Sequence, residues 1–64
     1  MDFSNALKLI KSGRRLTRTA WRDPEIEVCI SDNGNIVTKK GDDPARLFLP
    51  NQDDMLSNDW ELVR

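Results

Sequence analysis

Pro50 limits this chain's folding options more than any other single residue. It has no N–H to donate to a central ladder, so the apolar run Leu47-Phe48-Leu49 must end there as a strand. The residues that follow supply a helix start. Asn51 can cap it by accepting from the N–H of Asp53 or Asp54, and both aspartates fall in the first turn, where the helix dipole favours negative charge. Met55 and Leu56 are expected to give this short helix its apolar side, and Ser57-Asn58-Asp59 offers a stop. Trp60-Glu61-Leu62-Val63 then alternates as a final strand would.

The chain has few covalent or metal-based means of holding such a fold together. A domain of 64 residues buries only roughly 60% of the surface its unfolded chain exposes. Cys29 is the single cysteine and there is no histidine, so an internal disulfide is impossible and a zinc site lacks its usual ligands. No metal or cofactor is expected. By elimination, oligomerisation remains as the further source of stability, the alternative being a small domain that folds unaided. The 38% hydrophobic and 33% charged composition is that of a single globular domain over residues 1–64, and no apolar run approaches the roughly 20 residues of a membrane span. The start Met1-Asp2-Phe3-Ser4 does not resemble a secretory signal, which predicts a cytoplasmic protein. The net charge of -1 conceals a split. Residues 1–22 carry six cations against Asp2, a balance of +5, and residues 42–64 carry two cations against six carboxylates, a balance of −4. Such a split can hold an anion at one end or draw two copies together.

Read in order, Phe3, Ala6, Leu7 and Ile10 fall at i, i+3, i+4 and i+7, the stripe of a helix capped by Asp2 or Ser4 and ended at Ser12-Gly13. The stretch Arg14 to Trp21 reads as a strand with Arg15, Thr17, Thr19 and Trp21 on one face and Leu16, Arg18 and Ala20 on the other. Asp23-Pro24 is a turn. Ile26, Val28 and Ile30 alternate with Glu27, Cys29 and Ser31, and Asn33-Gly34 then signals a hairpin into Ile36–Lys40. Gly41–Pro44 turns into a strand over Ala45–Leu49. The order predicts an α+β fold: a small antiparallel β-sheet with an N-terminal helix and a short second helix before the last strand.

Nothing in this pattern points to catalysis. Histidine and tyrosine are absent, no serine stands beside a base, and there is no Gly-rich phosphate loop. Asp53 and Asp54 are neighbours on a helix and diverge, which suits capping better than acid–base work. Cys29 reads as a small filler in an apolar strand. Phe3 and Phe48 read as core, and so, on pattern alone, do Trp21 and Trp60, although an indole at a strand end can also line a pocket and stack on a base. Arg14, Arg15, Arg18 and Arg22 flank Trp21, a combination of cation and flat ring that suits a phosphate-bearing nucleotide; the plainer alternative is a solvated strand face. A net negative chain disfavours bulk DNA or RNA.

Both ends of the chain carry a resemblance. Met1-Asp2-Phe3-Ser4-Asn5-Ala6-Leu7, then Lys11-Ser12-Gly13-Arg14, Arg18 three residues before Trp21, and Pro50 to Leu62 resemble the small phage and prophage proteins of the Thoeris anti-defence two (Tad2) family. The spacing of Pro50, Gln52, Asp54, Leu56 and Asp59-Trp60 is the most specific part. The resemblance implies a non-enzymatic sponge: a homo-oligomer, dimer or tetramer, that sequesters cyclic ADP-ribose isomers, and in some members cyclic oligonucleotides, without cleaving them. By position it implies that Trp21 stacks on a base and that Gln52, Asp54 and Asp59 bond to or shape the ligand pocket. Arg18 is implied to be either a phosphate partner or a structural strut. The family's usual glycine before the tryptophan is Ala20 here, and Arg22-Asp23 stands where a polar Asn-Gly often follows. The alternative is a small protein–protein interaction module of phage origin with no nucleotide ligand.

Overall fold

The computed structural model describes residues 1–23 and 25–63; Pro24, and with it part of the expected Asp23-Pro24 turn, lies outside the described residues. Helix α1 (Phe3–Lys11) is followed by strands β1 (Leu16–Arg18), β2 (Ile26–Ile30), β3 (Ile36–Lys40) and β4 (Arg46–Leu47), then helix α2 (Gln52–Leu56) and strand β5 (Trp60–Leu62). The strands form one antiparallel sheet in the order β4-β3-β2-β1-β5. This is the α+β arrangement the sequence pattern predicts. None of its described helices is long and apolar enough to cross a membrane.

Local chemistry sets the first helix. The Asp2 side chain accepts from the Asn5 N–H at 2.8 Å, and Lys8 and Lys11 lie in the last turn. Gly13, at φ +98°, lets the Gly13 N–H reach the Ile10 carbonyl and the Arg14 N–H reach that of Leu9, the paired bonds of a Schellman end. Ala6 and Ile10 are fully buried and join Leu16, Val28 and Trp60 as the core. Phe3, Trp21 and Phe48 pack around the Trp60 ring with centroid distances of 5.6, 5.4 and 6.1 Å.

Four details differ from the sequence expectations. Strand β1 stops at Arg18 instead of running to Trp21. The Thr19 N–H and hydroxyl both donate to the Asp59 carbonyl, the Ala20 N–H donates to the Asp59 carboxylate, and the Trp21 N–H turns back to the Arg18 carbonyl. The alternation is thereby broken, and Trp21 packs on the core side against Trp60 rather than sharing a face with Thr17. Between β2 and β3 the Ser31 N–H donates to the Asn35 carbonyl, which leaves Asp32, Asn33 and Gly34 as the loop of the hairpin. The Gly34 N–H donates to the Ser31 carbonyl and Gly34 alone takes positive φ, so Asn33 keeps an ordinary backbone. Strand β4 is confined to Arg46–Leu47 within the expected 45–49. Helix α2 has its polarity reversed: Asp54 is buried while Met55 and Leu56 are 48% and 71% exposed. A five-residue helix offers few inward positions, and the one facing Arg18 is filled by a carboxylate.

Candidate functional site

The turn after β1 and the start of α2 build two adjacent features, a closed ionic cluster and an open groove. The cluster centres on Arg18, whose side chain is 9% exposed. Its Nη1 donates to Asp54 Oδ1 at 2.7 Å, its Nε to Asp59 Oδ1 at 2.9 Å and its Nη2 to Ser57 Oγ at 2.6 Å. The acceptors are themselves held. Asp54 Oδ2 accepts from the Asn51 N–H while Asn51 Oδ1 accepts from the Asp54 N–H, a capping box. The Asp54 carbonyl takes the Trp60 Nε1–H at 2.9 Å, Ser57 Oγ donates to the Asp53 carbonyl, and Asp59 Oδ2 accepts from the Ala20 N–H. The Arg18 guanidinium holds the Asp59 carboxyl below the ordinary aspartate range, and the hydrogen bond to Asp59, foremost, raises Arg18 above its own. Asp54 and Asp59 thus fix α2 and the post-β1 turn to one guanidinium. That is a bracing geometry, with the carboxylates already engaged.

The groove lies on the same side of the sheet, beyond the part α1 covers. Trp21 lines it together with Ile26 and Thr38, around a space of about 790 Å³. Arg22, Lys40 and Arg46 contribute cations to its lining, against Asp23 and Asp43, while Lys39 alternates to the other face of β3 beside Glu27. Lys40 Nζ pairs with Asp23 Oδ2 at 2.8 Å, which lowers Asp23 and raises Lys40. An apolar floor, one indole and several cationic donors in one concavity suit a flat, anionic small molecule.

The five residues singled out by the sequence therefore separate. Trp21 lines the groove; Arg18, Asp54 and Asp59 form the cluster; Gln52 is exposed in the first turn of α2. The four arginines near Trp21 also part company. Arg22 reaches the groove, Arg18 the cluster, and Arg15 lies over Glu27 at 3.4 Å. Lys40 and Arg46 were not legible as site residues from local sequence. They come to Trp21 through strand pairing, for Ile26 faces Lys40 and Thr38 faces Arg46. The expected hairpin register was the signal that could have found Lys40.

A family model for the Thoeris anti-defense 2-like domain matches residues 1–63. The chain belongs to that family. A Thoeris anti-defense role follows for this Thoeris anti-defense 2-like chain. No curated protein matches it. Among the described residues no group of acidic, cysteine or histidine side chains is arranged to hold a metal ion.

Proposed function

We propose that the chain acts in anti-defence as a sponge, binding a cyclic nucleotide second messenger of the cyclic ADP-ribose type and holding it without cleavage. The observation that carries this reading is the groove itself: a half-buried Trp21 beside Arg22, Lys40 and Arg46. The indole face takes a base by stacking, and the cations take the phosphates. Arg18, Asp54 and Asp59 support the site from behind by fixing the turn that carries Trp21.

The test is titration calorimetry with cyclic ADP-ribose isomers on the unmodified chain, on Trp21→Ala and on the exposed-site variants Arg22→Glu and Arg46→Glu. Each charge reversal removes a charge-assisted contact, so affinity should fall at least about tenfold. Thermal melting of the two arginine variants should stay within a few degrees of the parent, separating binding from folding. Unchanged affinity in both would sink the groove as the ligand site. A second reading, an interaction module for another protein, is favoured by the exposed Met55 and Leu56 on α2. It predicts that Leu56→Asp abolishes partner capture while ligand uptake is absent in all variants.

A further inference from the structure

One cation of the groove is already engaged by the chain itself. Lys40 Nζ lies 2.8 Å from Asp23 Oδ2, whereas Arg22 and Arg46 have no carboxylate partner among the described residues. The pair joins two turns that are distant in sequence. Asp23 follows β1, and its Oδ1 accepts from the Glu25 N–H at 3.0 Å, so its own turn holds the carboxylate in place. Lys40 ends β3, and the Asp43 N–H donates to its carbonyl at 2.9 Å as the chain turns toward β4. A Cβ on Gly41 would stand 2.9 Å from Glu25 Oε2, so the two turns also meet beside the ion pair. Asp43 and Glu25 act on the Lys40 ammonium from nearby, and Asp23 bonds to it directly.

This pair differs from the Arg18 cluster in how easily it parts. The Lys40 and Asp23 side chains are 56% and 30% exposed, against 9% and 10% for Arg18 and Asp54. An exposed pair shifts an equilibrium by at most about fivefold, while a buried one is costly to separate. The Arg18 cluster therefore stays closed when a ligand arrives, and the Lys40 pair is free to exchange. Strand register says with what. Arg46 faces Thr38, so Lys40, two positions along β3, is its diagonal neighbour, at a spacing of about 7–8 Å that long side chains can span. A pyrophosphate carries two charges on adjacent phosphorus centres, and its oxygens offer charge-assisted bonds to both cations, where the Asp23 carboxylate offers one charge to one of them.

We infer that Asp23 is a specificity-determining residue of the groove: in the empty groove its carboxylate occupies the Lys40 ammonium as an internal counter-anion, and a ligand pyrophosphate displaces it to bridge Lys40 and Arg46. The inference rests on the sponge reading for the chemistry of the ligand. Its consequence is a threshold on charge. The phosphate site is complete only in the fraction of chains whose Lys40 is free, and the apparent affinity is reduced by that fraction. A ligand with less charge than a pyrophosphate does not displace the carboxylate and is left to Arg22 and Arg46 alone.

The experiment is NMR titration of the full chain, Asp23→Asn, Lys40→Gln and the double variant, with cyclic ADP-ribose and, separately, with inorganic pyrophosphate. Asparagine at position 23 keeps a side-chain oxygen for the Glu25 N–H, so the turn is retained, and the amide spectrum of each variant reports its fold directly. Asp23→Asn should tighten both probes by about fivefold, the most that an exposed pair withholds. In the Lys40→Gln background the same substitution should change affinity by less than about twofold, because no ammonium is left to release. An Asp23→Asn chain that binds no more tightly than the parent overturns the exchange. So does an equal gain with and without Lys40, which would mean that Asp23 only repels anions as part of the general field. Cyclic ADP-ribose binding without the gain keeps the sponge and removes the exchange. A Lys40-dependent gain for pyrophosphate, with cyclic ADP-ribose bound by no variant, keeps the exchange and removes the sponge. Neither probe binding any variant sinks both.

Discussion

Replacing Arg18 with methionine isolates the bracing cluster, because it keeps the side chain's unbranched apolar stem while deleting three hydrogen bonds of 2.6 to 2.9 Å. The consequence falls mainly on Asp54, whose side chain is 10% exposed and would retain the Asn51 N–H but lose its cation. Removing one partner of a buried pair costs about 3–5 kcal/mol, since the other charge is left uncompensated. The lower figure applies here because Asp54 can still draw on its capping hydrogen bonds. A domain of this length has a total stability of roughly 3–10 kcal/mol at 0.05–0.15 kcal/mol per residue. A loss of about 3 kcal/mol is therefore a large fraction of the whole. At about 4–8 °C per kcal/mol for a small domain, the melting temperature should fall by about 12–24 °C. Melting followed by tryptophan fluorescence at fixed protein concentration reads this directly, and concentration must be held because oligomers gain stability by mass action. Arg15→Met is the internal control. Its side chain is 57% exposed and sits 3.4 Å from Glu27, a surface pair worth about 0–1 kcal/mol. A drop for Arg18→Met no greater than that for Arg15→Met would refute the claim that the cluster holds α2 to the sheet.

Two further outcomes follow from the same geometry. Trp60→Phe keeps most of the buried ring but leaves the Asp54 carbonyl without its 2.9 Å donor, so urea unfolding should show a loss of about 2 kcal/mol; a loss below about 0.5 kcal/mol would mean that water replaces the indole N–H. Acid should destabilise the chain through Asp59. Its native pKa is depressed by Arg18, so its contribution is fully present above the unfolded aspartate value near about 4 and is lost as pH falls through the lower native value. Melting temperatures should be level from about pH 7 to 5 and fall below about pH 4, with a shallower fall in Arg18→Met; an equal fall in both would place the acid sensitivity elsewhere.

Much of this arrangement was legible where the causes are local. The Asp2 cap, the Gly13 stop, the Asn33-Gly34 hairpin signal and the reciprocal Asn51–Asp54 cap each depend on residues within a few positions of one another. The misreadings arise where a distant residue overrides the local pattern. Alternation placed Trp21 opposite Leu16, but Asp59, about forty residues away in sequence, captures the backbone of Thr19 and Ala20 and turns the chain. Apolar character placed Met55 and Leu56 inward, but Arg18 demands a carboxylate at the inward position of α2. The groove was hidden for the same reason. Trp21 was visible as a candidate, but its cationic companions Lys40 and Arg46 arrive by strand pairing. Conversely, the basic cluster of residues 14–22 is contiguous only in sequence, since alternation and the early end of β1 disperse it over the fold.

The sponge reading meets its most direct test in native mass spectrometry of the purified chain with a panel of cyclic ADP-ribose isomers and cyclic dinucleotides. The account predicts an oligomer that gains whole-number ligand masses and returns the same, uncleaved ligand on denaturation, with uptake weakened in Arg22→Glu and Arg46→Glu. An oligomer that takes up nothing across the panel, or a ligand recovered as a hydrolysed product, would contradict it.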